Sequence, residues 1–304
     1  MAAGSGAVIA FQGRVNGDLA VAGTGVVVSG WLSYVGTLAA SALVIVLRGR
    51  ARTVTRLIRQ RAQWWWFAVG LCGIPIVLAM ASGIPLVGVA VASVCAVAGQ
   101  TVAGLTLDAR GVGLPAAIRL SRRRVLAGAV ALVGLGVAVL GPSGGGELTA
   151  AVGVAVGIAL FLAGAILCVQ QAGNGRVVAA TGDPVLAGLT SSAGGTVGIT
   201  LVLAVAGLAG GLDGVTFPPQ WWLYLGGPLG AVITIAAAWA VRRLGTFVLT
   251  LTVISGQMLT ALLLDLFSAG GLRVTAILAT LAVAVSAALV VERRRATSGP
   301  LLRD

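Results

Sequence analysis

The sequence has no lysine and no histidine, and only eight of its 304 residues are acidic. Without lysine there is no Walker A loop, whose lysine holds nucleotide phosphates. Schiff-base chemistry and a retinal linkage fall with it. Without histidine there is no histidine general base and no histidine metal site. No nucleophile–base pair or metal cluster stands out in what is left, so neither an enzyme nor a bound cofactor or metal is expected. Cysteine is scarce as well. Cys72, Cys95 and Cys168 lie in apolar stretches without paired spacing, and they read as small apolar packing residues. The first residues, "MAAGSGAVIA", lack a basic n-region, so no secretory signal is expected.

What is present is apolar. Hydrophobic residues make up 58% of the chain and charged residues 9%, against about 25% charged in a soluble domain. Apolar runs near 20 residues recur along the whole length, and each is long enough to span a bilayer. Segments of that kind satisfy their backbone hydrogen bonds internally only as helices. The 46 glycines suit close helix packing in lipid. Gly153 with Gly157, and Gly188 with Ser192 and Thr196, form small-xxx-small series. The net charge of +12 comes from arginines in short loops, where they set orientation and meet anionic lipid, so nucleic acid is not an expected partner.

Ten helical segments are predicted, roughly 1–22, 26–47, 64–82, 86–107, 125–141, 149–173, 184–209, 221–241, 246–267 and 274–291. The expected fold class is an all-α integral membrane protein of ten transmembrane helices, arranged as two five-helix inverted-topology repeats over 1–144 and 145–304. Repetition carries the division. Gln63–Gly73, "QWWWFAVGLCG", matches Gln220–Gly230, "QWWLYLGGPLG", at an offset of 157 (220 − 63). Gln100 and Asp108 match Gln257 and Asp265 at the same offset. Gln12 and Asn16 match Gln170 and Asn174 at 158 (170 − 12).

Five is odd, so the second copy enters the membrane inverted, and the arginines support this. Arg48, Arg50, Arg52, Arg56, Arg59 and Arg61 follow the second segment, while the matching loop "GLDGVTFPPQ" has none. With both termini cytoplasmic, all arginines except Arg14 and Arg273 fall on the inner side, as the positive-inside rule requires. The expected location is the inner (plasma) membrane. The first segment is short at its start compared with its copy, which fits a start upstream or a helix beginning at the membrane surface.

"FQGRVNGDL" and "SYVGT", then "GQ" and an aspartate eight residues on, resemble the YdcZ-like branch of the drug/metabolite transporter superfamily. The resemblance covers nearly the whole chain as two fused five-helix units. The second half departs from it, with "SAGGT" where the first half has an aromatic before Gly-Thr. The resemblance implies a bundle of inverted repeats exporting or exchanging small metabolites or drugs by alternating access. It supplies no catalytic residues.

The polar residues inside the segments are the site candidates. Gln100 and Gln257 lie about eight residues from their helix ends, or about 12 Å, which approaches the midplane. They are read either as substrate-binding amides in a central cavity or as helix–helix ties. Gln12 with Asn16, and Gln170 with Asn174, share a helix face four residues apart and are read as lining a cavity or gate. Asp108 and Asp265 end the fourth and ninth segments, where a carboxylate opposes the helix dipole. Their alternatives are an interfacial ion pair, such as Asp108 with Arg110, or an ion-coupling site. Trp64, Trp65 and Trp66, and Trp221 and Trp222, begin two matching segments and are read as interface anchors.

The expected function is a secondary transporter, an exporter working by alternating access and driven by ion coupling or exchange. Its partners are a small-molecule substrate and membrane lipids, and a homodimer is compatible with the sequence. The alternative is a non-transporting structural or regulatory membrane protein with a degenerate transporter fold. A channel is a further alternative.

Overall fold

A computed structural model describes residues 2–110, 121–140, 149–267 and 274–291. The expected boundary at 144/145 lies outside these residues. Among the described residues the protein is all-helical: α1 Ala2–Leu19, α2 Gly25–Leu47, α3 Ala51–Arg61, α4 Trp64–Leu71, α5 Gly73–Val87, α6 Val89–Ala109, α7 Arg122–Leu140, α8 Ala150–Thr181, α9 Pro184–Leu208, α10 Gly226–Leu266 and α11 Val274–Val291. Five helical runs within 4–47, 64–87, 89–107, 150–181 and 184–208 are long and apolar enough to cross a membrane. The protein is an integral membrane protein. Its outer faces are apolar, as along α9, where Val197, Leu201, Val205 and Leu208 form an exposed stripe at helical spacing.

Two helical stretches fold back on themselves. Between α1 and α2 lies a π-helical turn, Ala20–Thr24, in which Gly23 has φ 131°. Only glycine enters that region without strain. The chain returns there, so that the Ser29 hydroxyl donates to the Asn16 carbonyl at 2.7 Å.

The second case is α10, a single helical element over Gly226–Leu266 where the sequence predicts a break at 242–245. Arg242, Arg243 and Leu244 do not oppose helix, and only Gly245 does. Yet Gly226 meets Gln12 while Val253 meets Gly6, and both partners lie on α1. Six residues of α1 cover about 9 Å, whereas the 27 residues from Gly226 to Val253 would cover about 40 Å if straight. The run therefore turns back within its length.

Three other boundaries depart from the sequence reading. Residues 48–63, expected as a loop, contain the amphipathic helix α3. The third predicted segment is divided between α4 and α5, close to Pro75, whose missing N–H weakens the local ladder. Trp221–Tyr224 form a separate 3-10 turn before α10.

The two halves of the chain interlock reciprocally. A Cβ on Gly164 would strike the Ala96 carbonyl, and one on Gly6 would strike the Val253 carbonyl. These are the same contact with the halves exchanged (6 + 158 = 164; 96 + 157 = 253). Likewise a Cβ on Gly70 would strike the Ser191 carbonyl, and one on Gly227 would meet the Gly36 backbone and lie 3.0 Å from the Ser33 carbonyl. Two cores result. One joins α5, α6, α10 and α11 around Val89–Val97, Ile254, Met258 and Ala279. The other joins α3, α4, α8 and α9 around Val54, Trp66, Val177 and Leu186.

Candidate functional site

The α1 and α8 amides each sit at a close approach to the other half of the chain. Gln12 Nε2 donates to the Gly226 carbonyl at 2.8 Å. A Cβ on Gly230 would lie 2.8 Å from that nitrogen, and a Cβ on Gly73 would lie 2.8 Å from Gln170 Nε2. The positions are equivalent (12 + 158 = 170; 73 + 157 = 230), so each glutamine reaches the other half's counterpart glycine. The surroundings differ. Asn16 Nδ2 donates to Ser33 Oγ at 3.2 Å, and Thr37 donates to the Gly227 carbonyl at 2.9 Å, so the first-half amides are largely satisfied. In the second half Gln170 meets the Tyr34 hydroxyl, which donates to the Gly70 carbonyl at 2.8 Å. Asn174 Oδ1 is buried without a hydrogen-bond partner among the described residues.

Gln100 on α6 and Gln257 on α10 are 6% and 1% exposed. Gln100 Nε2 and both amide atoms of Gln257 have no partner among the described residues, and neither does Ser93 Oγ, two turns before Gln100 on the same face. A buried unpaired polar group costs about 1–3 kcal/mol, so side chains held this way call for an explanation. Their depth follows from a contact at the helix ends. Asp265 of α10 accepts from the backbone N–H groups of Val89 and Ala90, which begin α6. From that point Gln257 lies about 12 Å along α10 and Gln100 about 16 Å along α6. The two amides thus occupy nearly the same depth where α6 and α10 pack.

The family model described as "Putative inner membrane exporter, YdcZ" matches residues 1–137 and again 155–291. The chain belongs to this YdcZ family. As a member it is a multi-pass inner-membrane protein of a transporter family, built as two fused units. No curated protein matches it. One solved crystal structure is similar over 98% of this chain and 96% of its own, with a TM-score of 0.59 and 19% identity, which shows the fold alone.

In this YdcZ-family chain Asp265 is a helix cap acting across the two units. Viewed along its own helix it opposes the dipole, but its two oxygens hold the N-terminus of α6 at 2.9 and 2.8 Å, where an anion is favoured. Gly88, φ 85°, makes room for it, since a Cβ there would stand 3.1 Å from Oδ2. The Asp108 side chain, and with it the expected pairing to Arg110, lies outside the described residues. Trp64, Trp221 and Trp222 are exposed (80%, 69% and 51%), as anchors would be, and Trp65 is half-buried. Trp66 departs from the anchor reading. It is 2% exposed and packs in the core of α3, α4, α8 and α9.

Two charged contacts were not anticipated. Arg14 and Asp18 form an i,i+4 pair at 2.7 Å on the half-exposed side of α1. This neutralises one of the two arginines that break the positive-inside pattern. Asp183, 2% exposed, caps α9 through Val185 N at 2.9 Å and pairs with Arg50 Nη1 at 2.8 Å. The Asp183-Pro184 dipeptide, a capping residue followed by proline at the first helical position, was a legible signal.

Proposed function

We propose that this protein is a secondary exporter in which Gln100 and Gln257 bind substrate between two inverted five-helix repeats, 1–144 and 145–304. The observation that carries the reading is the pair of buried amides at one depth on equivalent helices, with Gln100 Nε2 and both Gln257 amide atoms lacking a partner among the described residues. Each amide offers two donors and one acceptor without charge. They suit a small molecule presenting both a donor and an acceptor edge. The reciprocal contacts between halves support a two-fold relation, and transporter sites tend to lie on such an interface near the midplane. Gln12, Asn16, Gln170 and Asn174 flank the site where the halves touch. Rocking one half against the other then exposes the amides to each side in turn. The arginine distribution supports cytoplasmic termini.

Coupling to an ion gradient or to exchange belongs to the same proposal. Asp265 is engaged by backbone N–H groups, and Asp108 is its equivalent in the first half. In proteoliposomes with an imposed proton gradient, unchanged coupling in Asp265→Asn would remove this residue from the proton path.

The site is tested on purified protein by thermal stability against a metabolite and drug library. A ligand at 100 times its Kd stabilises the folded state by roughly 2.7 kcal/mol. The stabilisation should disappear in the Gln100→Ala, Gln257→Ala double variant. A ligand that stabilises the variant equally would place the site elsewhere. An absence of ligands, with the variant altered only in basal stability, would favour a non-transporting structural role.

A further inference from the structure

The strongest feature outside the candidate site is α3. Helical geometry places Arg52, Arg56 and Arg59 (i, i+4, i+7) within about 60° of one another. Val54, Leu57 and Ile58 fall on the opposite side. All three arginines are exposed, whereas Val54 is 3% exposed. Val54, Leu57 and Ile58 pack against Ile45, Trp66, Val177, Val178 and Val185. The apolar side of α3 is thus used by the protein, and the basic side is presented outward. The sequence places no acidic residue between Asp18 and Asp108. Asp183 takes Arg50, and no ion pair engages Arg52, Arg56 or Arg59 among the described residues.

The depth of α3 is bounded on both sides. Leu43, Val46 and Leu47, the last apolar residues of α2, are 56%, 62% and 76% exposed, so lipid-facing surface continues up to Arg48. It resumes at Trp64, 80% exposed. The helix between these points lies where hydrocarbon gives way to head groups, next to an apolar strip able to take acyl chains.

We propose that α3 is a binding site for anionic phospholipid, with Arg52, Arg56 and Arg59 holding head-group phosphates and the exposed Leu43, Val46 and Leu47 receiving the tails. Arginine suits this task, because its planar fork donates two parallel hydrogen bonds to phosphate. The opposite face of α3 rests on the α8–α9 turn of the other half, so a bound lipid also holds the halves together at this end. Free phosphate satisfies the arginines and leaves the apolar strip empty, so the head group and its tails act as one ligand.

The test uses the full chain, purified in a neutral detergent and titrated with phosphatidylglycerol, phosphatidylcholine or inorganic phosphate while melting is followed. It requires no transport, so it stands or falls independently of the exporter reading. Phosphatidylglycerol should raise the melting temperature, and the other two should not. Near a membrane surface each arginine contributes about 1 kcal/mol toward anionic lipid, and 1.4 kcal/mol is tenfold in affinity. The triple variant R52Q/R56Q/R59Q should therefore bind phosphatidylglycerol roughly a hundredfold more weakly. R122Q/R123Q/R124Q should bind it as the parent does. If the triple variant does not fold, native mass spectrometry of lipid retained by R56Q reads the same preference, with R56K as the charge-keeping control. The proposal is overturned if the α3 variants keep the parent's preference, if the loss follows the α7 variant instead, or if phosphate alone reproduces the stabilisation.

Discussion

The protein has two seams between its halves, one at each end of the bundle, and they are built differently on related positions. At one end, Gly182 (φ 70°) follows α8 and Asp183 meets Arg50. At the other, Gly23 and Gly25 (φ 71°) follow α1, and the Gly23 carbonyl accepts from Thr216 N–H at 3.0 Å. The turns correspond (182 − 158 = 24), and each is met by the linker before the other half's tryptophan-led segment. One seam holds an ion pair, and the other is joined, among the described residues, by a main-chain hydrogen bond. The backbone geometry has followed the duplication, while the side-chain chemistry has diverged. In the proposed orientation the charged seam is cytoplasmic, where arginine is favoured, and the neutral seam is outside.

The comparison breaks first where the halves touch most closely. Gly70→Val and Gly227→Val should each destabilise by about 1–3 kcal/mol or more, because the added atoms meet backbone rather than a flexible side chain. Thermal unfolding of the two variants should give drops of similar size, and a large effect in one alone would end the claim of equivalence. Asp265→Ala should cost about 1–2 kcal/mol, the upper range for a lost helix cap, with Asp265→Asn milder because one acceptor oxygen remains. Asp183→Ala should cost about 1 kcal/mol for its own cap. Arg50→Gln should cost less, because Arg50 is 44% exposed and water screens the pair. Raising the salt concentration should narrow the gap between Arg50→Gln and the parent. Thr216→Ala should change stability by only tenths of a kcal/mol, since this seam uses the backbone N–H. A cost above 1 kcal/mol there would show that the neutral seam also relies on a side chain.

Much of this was legible in the sequence, and the failures have physical causes. The apolar runs and the duplication follow from length and spacing alone. The helix α3 was hidden by its low hydropathy, although Val54, Leu57 and Ile58 opposite Arg52, Arg56 and Arg59 already carried its period. The role of Asp265 was not legible, because a cap is ordinarily sought on its own helix and this one serves a helix 176 positions earlier. Trp66 differs from Trp64 only in the direction its side chain takes around one helix. Adjacent identical letters cannot show that difference.

The cap on α6 also sets an order of events during synthesis. Val89 and Ala90 leave the ribosome long before Asp265 exists. At 5–20 residues per second the delay is roughly 9 to 35 seconds. For that interval the N-terminal turn of α6 has its first amides unfilled in or near the bilayer, held by whatever the insertion machinery or water supplies. The first half therefore enters the membrane as an unfinished object, and its last hydrogen bonds form only when the second half arrives.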